Sequence, residues 1–428
     1  MAQLSDDCFA FGGPLMTVAE AGALMARRLT PVTEPERVGL MQASGRILAE
    51  DVVAGADVPP HDNSAVDGYA VHFDDLRPDG ETRLPVLPVR VAAGHPVAGG
   101  VPRGRALRIF TGAVMPPGPD TVMMQEDCAV EHGPNGANGA DETVVIRPGI
   151  ARGANRRRAG EDVRAGSVVL KRGTRLRPQD IGMAASVGRV DLAVYRPLRV
   201  ALFSTGDELR EPGTALTPGT IYDSNRYTLA ALLSGLGCAV SDLGILADRA
   251  EAVREALARA AGAHDLIVTS GGVSVGDEDH VKTAVEALGS LHVWRLAIKP
   301  GRPAALGQVG RTPFLGLPGN PVAVMVTFYG LARALVLTLA GAVADDPHRF
   351  RVRAGFAHKK KAERREFLRA RLERDGDGAL VARRFPRDGA GILSSMVESD
   401  GLVELPEDLT RLEAGTMVDF LPFSEVQR

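Results

Sequence analysis

Between Leu198 and Leu339, short apolar runs alternate with segments of helical period, and this alternation limits the fold more than any other feature of the chain. Strands are predicted over Arg199–Phe203, Ala239–Ile245, Asp265–Val268 and His292–Ile298. Helices are predicted over Asn225–Leu236, Ala250–Ala261, Val281–Leu288 and Pro321–Leu339. In the second helix the apolar residues recur at i, i+4, as one buried face requires. Strands and helices in strict alternation imply a mostly parallel sheet covered on both faces, a doubly wound α/β domain. Ligands of such sheets bind beyond the carboxyl ends of the strands.

Those ends are where the polar residues fall. The run Leu266–Val268 breaks into Thr269, Ser270, Gly271 and Gly272, then Gly276 and the acids Asp277, Glu278 and Asp279, before helical spacing resumes at Val281. A strand, a glycine turn and a helix start aim several backbone N–H groups at an anion. Carboxylates at the same mouth suggest a divalent cation held between protein and phosphate. The first strand runs into Glu208, the second towards Asp248, and the fourth into Lys299 and Arg302. A further turn, Gly316–Pro321, opens the last helix with Asn320 as N-cap and Pro321 in the first helical position. One such residue alone reads as a cap or a surface charge. Glu208, Asp248, Asp279, Lys299 and Arg302 on one predicted edge read together as a site for an anion and a divalent metal.

The flanks have different textures. Thr17–Arg28 reads as an amphipathic helix opened by a Thr17/Glu20 capping box, and Val38–Ala49 as a second helix. Pro59 and Pro60 exclude a helix or a central strand, so His61–Asp67 is a loop. Its Asp62, Asn63, Ser64 and Asp67 fit an Asx-turn with local caps as well as they fit a site. From Tyr69 to Arg147 short alternating runs, among them Pro85–Val91, Ala106–Phe110 and Thr121–Glu126, predict a small β domain. Thr111 either caps a turn there or offers a hydroxyl. The glycine-rich stretch 132–140 reads as a hairpin loop without chemistry. Arg156, Arg157 and Arg158 beside Gly160, Glu161 and Asp162 form either a solvated face or an oxyanion fork. Asp180–Gly188 reads as a short helix. After Arg351 short β-like runs at Glu366–Leu372, Ala379–Val381, Leu402–Leu405 and Met417–Leu421 predict a small antiparallel barrel or sheet. The basic run Lys359–Arg365 fits a solvated hairpin or a charged site equally.

Bulk properties narrow the class. A chain of 428 residues has room for about three domains. Its net charge of −3 gives no global reason to expect nucleic acid or a membrane. The apolar stretch Pro321–Ala344 is interrupted by Arg333 and sits inside the strand–helix alternation, so it is expected as a buried core helix. Asp6 and Asp7 occupy a start that has no basic segment, unlike a signal peptide. Cys8, Cys128 and Cys238 lie far apart with no C-x-x-C pair. That usage suits a reducing compartment, and the expected location is the cytoplasm.

Six motifs in fixed order carry a resemblance: Asp62–Tyr69, Arg157–Asp162, Phe203–Leu209, Thr269–Asp279, Ala297–Pro303 and Gly316–Val322. The sequence resembles the molybdopterin molybdenumtransferases of the MoeA type and is similar to the E domain of gephyrin, from about Thr17 to the C-terminus. The resemblance implies a multidomain α/β plus β protein. An N-terminal region, 1–190, would comprise an elongated domain with an inserted β domain. A central molybdopterin-binding domain, 191–345, would be similar to the molybdopterin adenylyltransferase, and a β-barrel would occupy 346–428. It implies transfer of molybdenum from molybdate to adenylylated molybdopterin, with AMP released and Mg2+ required. It further implies a homodimer whose cleft takes residues from both subunits, with the molybdopterin adenylyltransferase and recipient molybdoenzymes as partners.

Carried onto these motifs, Glu208, Asp248 and Asp279 are the acids expected at the metal and the pyrophosphate, with Asp279, Glu208, Asp248 and Lys299 as the catalytic set. Ser270, Gly271 and Gly272 would cradle phosphate. Lys299, Arg295 and Arg302 would face oxyanions, and Pro318 and Pro321 would shape the neighbouring turn. Asp62, Thr111, Arg157 and Asp162 would come from the N-terminal part, and Arg365, Arg369 and Ser395 from the C-terminal motifs. Departures from the family's usual residues fall at Arg295 and Arg302 (often Lys), Ala323 (often Ser) and Ser399–Asp400 (usually Ala-Asn). They touch the expected molybdate contacts and leave the acids in place. Two rival functions share parts of this pattern: an adenylyltransferase, which needs only the central domain, and a non-enzymatic scaffold of the gephyrin kind, which could dispense with strand-end acids.

Overall fold

The computed structural model describes residues 15–133, 142–247, 249–272, 280–301, 303–343 and 346–426. They form two compact units, and the chain passes between them more than once: residues 51–171 with 178–191 form one, and the remainder the other.

The larger unit is built on a six-stranded sheet. Its strands are β1 (Arg199–Thr205), β2 (Ala239–Leu246), β3 (Leu266–Ser270), β4 (Gly289–Arg295), β6 (Pro303–Val309) and β7 (Thr312–Leu317), in the order β2-β1-β3-β7-β6-β4. The short strand between β4 and β6, β5 (Ile298–Lys299), leaves this sheet for another. β2, β1, β3 and β7 are parallel, whereas β6 runs antiparallel to both β7 and β4. The strands alternate between two cores, as the two-residue period dictates. Val200, Leu202, Leu266, Val268, Leu315 and Leu317 face α1 (Asn225–Gly235) and the helical segment Pro321–Leu339. Ala201, Phe203, Ile267 and Phe314 face α2 (Ala250–Ala263) and α3 (His280–Leu288). Helices on both faces make the sheet doubly wound.

Two sequence expectations are corrected here. The run His292–Ile298 is not one strand: β4 ends at Arg295 and β5 pairs elsewhere. The hairpin β6–β7 carries no clear alternation, because both strands are buried on both faces. The predicted helix Val38–Ala49 is likewise absent. That segment is a strand, Pro35–Gly39, a single 3-10 turn at Leu40–Gln42, and a strand, Ile47–Leu48. Gly45 takes the left-handed region at φ 76°, which ends a helix, and Ile47 and Leu48 gain ladder partners in Tyr195 and Val194.

The long apolar segment Pro321–Leu339 is buried in the core, with a single π turn at Phe328–Ala332. Leu331, Leu335, Val336 and Leu339 pack with Ala21, Leu24 and Met25 of the N-terminal helix Val18–Arg28. That helix carries the predicted capping box: Glu20 N donates to Thr17 Oγ1 (3.2 Å) and Thr17 N to Glu20 Oε2 (2.8 Å).

The C-terminal strands β8 (Phe350–Ala354), β9 (Arg365–Arg374), β10 (Leu380–Arg384), β11 (Gly401–Leu405) and β12 (Met417–Pro422) close on themselves in the order β9-β10-β8-β12-β11, with β11 pairing back to β9. The result is a five-stranded barrel filled by Val352, Leu368, Ala370, Val403, Leu405, Val418 and Phe420. β5 adds to it in parallel, placing Lys299 opposite Glu366.

The smaller unit holds the predicted β domain. Six strands run in the order Thr121–Met124, Gly68–Val71, Ala106–Ile109, Thr82–Val91, Glu142–Ile146 and Cys128–His132. Most of the glycine-rich stretch 132–140 lies outside the described residues. Two short ladders join this unit's loops, Asn63–Ser64 with Arg156–Arg157 and Val52–Val53 with Val168–Leu170, and the expected helix is present as Pro178–Ser186.

Candidate functional site

The carboxyl ends of β1, β3, β7 and β4 share one edge of the sheet, because β6 is the only strand between them that runs the other way. β3 ends at Ser270 and turns through Gly271 (φ 89°) and Gly272 (φ 64°), a region that side chains strongly disfavour. The turn lies flush on the end of β1. A Cβ on Gly271 would sit 3.1 Å from Thr205 O, and one on Gly272 would sit 2.7 Å from both Thr205 Oγ1 and Val281 Cγ2. Residues 273–279 lie outside the described residues, and Asp279 with them; α3 begins at His280.

Polar side chains lace this edge together. Asn225, the first residue of α1, donates through Nδ2 to Ser270 Oγ (2.9 Å) and to Gly319 O (2.7 Å). Ser270 Oγ donates to Pro318 O (3.2 Å), and Gly271 N donates to Leu317 O (3.1 Å). The predicted Ser270, Gly271 and Pro318 are thus brought together, with Pro321 opening the next helix behind them. Asn320 holds the N-cap position, but its side chain makes no capping bond. Three buried polar atoms at these strand ends have no hydrogen-bond partner among the described residues: Ser204 Oγ, Thr269 Oγ1 and Asn225 Oδ1. Leaving such atoms unpaired costs about 1–3 kcal/mol each, so the edge has polar capacity in reserve. Asn225 is absent from the sequence prediction. Its only signal is an amide at a helix start, which reads as an ordinary cap.

Glu208 follows β1 and is exposed. Its carboxylate lies over Gly206, where a Cβ would meet Oε2 at 2.5 Å. The loop that carries it is tied back through Ile221 N to Glu208 O (2.8 Å) and through the parallel pair Leu209–Arg210 with Ile221–Tyr222. Arg226 of α1 pins this loop from below. It contacts Asp223 (3.0 Å), both oxygens of Glu211 (2.6 and 2.5 Å) and Asp242 of β2. Burial opposes the charge of this guanidinium, and the three carboxylates outweigh it, raising its pKa above the ordinary arginine value.

Cations stand at the other end of the edge. Arg295 ends β4 with its side chain exposed, and its carbonyl accepts from Met16 N (2.9 Å). Lys299 is half exposed and lies 3.5 Å from Glu366 Oε2. Arg302 lies outside the described residues. β9 carries Arg365 and Arg369 past Lys299. Arg365 contacts Glu404 (3.2 Å) and Glu407 (3.3 Å). Arg369 is buried and donates to Ser395 Oγ (3.0 Å) and to the carbonyls of Arg387 and Gly389. Burial lowers the pKa of Arg369 below that of a free guanidinium. Arg369 and Ser395 therefore meet and brace the loop 387–395.

In the smaller unit, three loops meet at the Asn63–Ser64 ladder. Arg157 pairs with Asn63, while Gly112 N donates to Ser64 O (2.8 Å). Asp62 accepts from Ala159 N (2.8 Å) and pairs with Arg156 (2.8 Å). Thr111 donates through N (2.8 Å) and Oγ1 (2.7 Å) to Asp67, whose carboxyl these bonds hold below its usual range. Asp162 is exposed and its N–H donates to Val58 O (3.1 Å). Asp62, Thr111 and Arg157 thus sit on neighbouring segments.

Of the predicted metal ligands only Glu208 is described; Asp248 and Asp279 are not. Among the described residues no group of three His, Cys, Asp or Glu side chains could hold a metal ion. Glu208 offers what Mg2+ favours, an exposed hard oxygen donor that accepts no hydrogen bond from the described residues.

Three family descriptions match the chain in order: "MoeA N-terminal region (domain I and II)" over residues 16–188, "Probable molybdopterin binding domain" over 201–338, and "MoeA C-terminal region (domain IV)" over 351–423. The chain is 37% identical over 417 residues to the molybdopterin molybdenumtransferase of Haemophilus influenzae, covering 96% of this chain and 100% of that protein. It is 36% identical over 414 residues to molybdopterin molybdenumtransferase 2 of Mycobacterium tuberculosis, covering 92% and 96%. A crystal structure of the molybdopterin biosynthesis MoeA protein from Pyrococcus horikoshii matches with a TM-score of 0.78 at 29% identity, covering 96% of this chain and 100% of that one.

Proposed function

This chain belongs to the MoeA family of molybdenum cofactor biosynthesis, and from that premise we propose that it transfers molybdenum from molybdate to adenylylated molybdopterin, releasing AMP. The observation that carries the reading is the glycine turn at Gly271–Gly272, set flush on the end of β1 beside buried polar atoms that have no partner among the described residues. It lies within the segment matched as a molybdopterin-binding domain.

The substrates are a pyrophosphate ester and an oxyanion, both negative, and bringing them together requires positive charge and aimed N–H groups. The Gly271 N–H is taken by Leu317 O, so Gly272 N–H is the donor of the described turn left for phosphate, and Asn225 and Ser270 hold the turn's shape. Lys299, Arg295 and Arg302 face the oxyanions, and Arg365, Arg369 and Ser395 shape the barrel side of the molybdate site. Pro318 and Pro321 fix the turn between them. Glu208, Asp248 and Asp279 would hold Mg2+, which would offset charge on the phosphate that leaves with AMP.

The protein acts as a homodimer, with Asp62, Thr111, Arg157 and Asp162 of one subunit serving the cleft of the other. It receives substrate from the molybdopterin adenylyltransferase and passes product to molybdoenzymes. A cytoplasmic location agrees with two free thiols, Cys128 and Cys238, which burial pushes up to about 11 and about 12 and so keeps unreactive.

The test is to incubate the protein with adenylylated molybdopterin, Mg2+ and molybdate. AMP release together with a cofactor that reconstitutes an apo-molybdoenzyme supports the reading. Binding without AMP release identifies a scaffold. Consumption of ATP and unadenylylated molybdopterin identifies an adenylyltransferase.

A further inference from the structure

Lys299 and Glu366 meet where the α/β sheet joins the barrel. β5 pairs in parallel with β9, which puts the two residues in register and their side chains on the same face. The side chain of Glu366 is 1% exposed, yet it is surrounded by cationic groups. Arg364 forks onto Oε1 through Nε (3.1 Å) and Nη2 (2.9 Å), and His358 Nε2 lies 3.0 Å from Oε2. Lys299 Nζ lies 3.5 Å from that same Oε2. Burial disfavours the carboxylate, but these partners outweigh it and hold its pKa below the usual range.

The forked arginine and the histidine already satisfy both oxygens of Glu366, so its burial does not depend on Lys299. An ion pair with one half-exposed member adds little stability. The consequence of the contact therefore falls on the lysine. A lysine is a flexible stem with a point charge at its tip, and an unpartnered one samples many rotamers. Glu366 fixes where that charge sits while the ammonium's other side stays open. Asp388 is a second carboxylate within electrostatic reach of Lys299, and it is answered in turn by Arg384 and Arg369, as Glu366 is by Arg364.

We infer that Glu366 is a positioning residue: from inside the barrel it aims the Lys299 ammonium at the oxyanion bound at the sheet edge. The barrel then supplies geometry to the reaction as well as contacts of its own. The inference rests on the reading that Lys299 faces an oxyanion.

AMP release is measured across a range of molybdate concentrations for the wild type, Lys299→Met, Glu366→Gln, Glu366→Asp and the double variant Lys299→Met/Glu366→Gln. Thermal midpoints are measured alongside. Loss of aim should lower kcat/KM for molybdate roughly tenfold in Glu366→Gln. Glu366→Asp, which keeps the charge, should recover part of that loss. In the Lys299→Met background the Gln substitution should change nothing further, because its effect runs through the lysine. Equal losses in both backgrounds, or full activity in Glu366→Gln while Lys299→Met is impaired, would overturn the inference. Full activity in Lys299→Met would instead overturn the reading of Lys299. Should Glu366→Gln fail to fold, Glu366→Asp in the two backgrounds carries the same comparison, and additive losses would overturn the inference.

Discussion

Arg226 and Asp223 are 3% and 2% exposed; Asp223, Glu211 and Asp242 answer the buried arginine, and Arg226 answers the buried Asp223. Removing one partner of a buried pair strands the other in a low-dielectric interior. Arg226→Ala should therefore cost about 3–5 kcal/mol, read as a lower urea midpoint; a loss under about 1 kcal/mol would contradict that account. Asp265 illustrates the same physics with a pH signature. Burial pushes its carboxyl up, but Arg196 (2.5 and 2.9 Å) and Arg199 (3.2 and 2.9 Å, with its backbone N at 2.9 Å) pull it down to about 2 from 3.8. A carboxyl depressed in the folded state adds stability above its unfolded pKa and loses it as the pH falls through the folded one. The advantage of the wild type over Asp265→Asn should stand at roughly 2 kcal/mol near pH 6 and shrink steadily from about pH 4 to pH 2. An advantage that stays constant over that range would contradict it.

At the scale of elements, the barrel seam is open to disruption by a single change. Gly401 sits where β11 meets both β9 and β12, and a Cβ there would lie 2.3 Å from Leu421 O and 2.6 Å from the Phe420 ring. Gly401→Ala must spread this seam. It should cost about 3 kcal/mol and speed amide exchange across residues 401–405 and 417–422. Unchanged protection in those strands would show that the seam tolerates the methyl group. The barrel strands were legible in the sequence as short apolar runs in which Leu368 and Ala370, Val403 and Leu405, and Val418 and Phe420 flank Arg369, Glu404 and Asp419 respectively. The parallel strands were legible as short apolar runs punctuated by turns. The hairpin β6–β7 was not, since strands buried on both faces show no period. The segment Val38–Ala49 was misread because one 3-10 turn mimics the start of a helix, while its strand partners Val194 and Tyr195 lie some 150 residues away in sequence.

For the whole molecule, the site divides the same way. Among the candidate site residues, the glycine turn, Glu208 and Lys299 stood out as motifs, because phosphate and metal chemistry would demand such residue types at strand ends, whereas Asp62 stood in a loop that fits a local cap equally well. Asn225, Arg226 and Glu366 did not stand out, because each gains its role only from residues that folding brings to it. The proposed division of each cleft between two subunits gives a test at this scale. Lys299→Met and Asp62→Asn should each be strongly impaired alone, yet the statistical mixture of dimers formed by co-expression should regain roughly a quarter of wild-type turnover, since about half the dimers are mixed and one of their two clefts is intact. No recovery would mean that each cleft is built from one chain. The most direct test of the central claim, that the edge after β3 releases AMP, is the reaction of Asp279→Asn with adenylylated molybdopterin, Mg2+ and molybdate. The account predicts that this variant binds the nucleotide ester as the wild type does but releases no AMP. AMP release at the wild-type rate would contradict it.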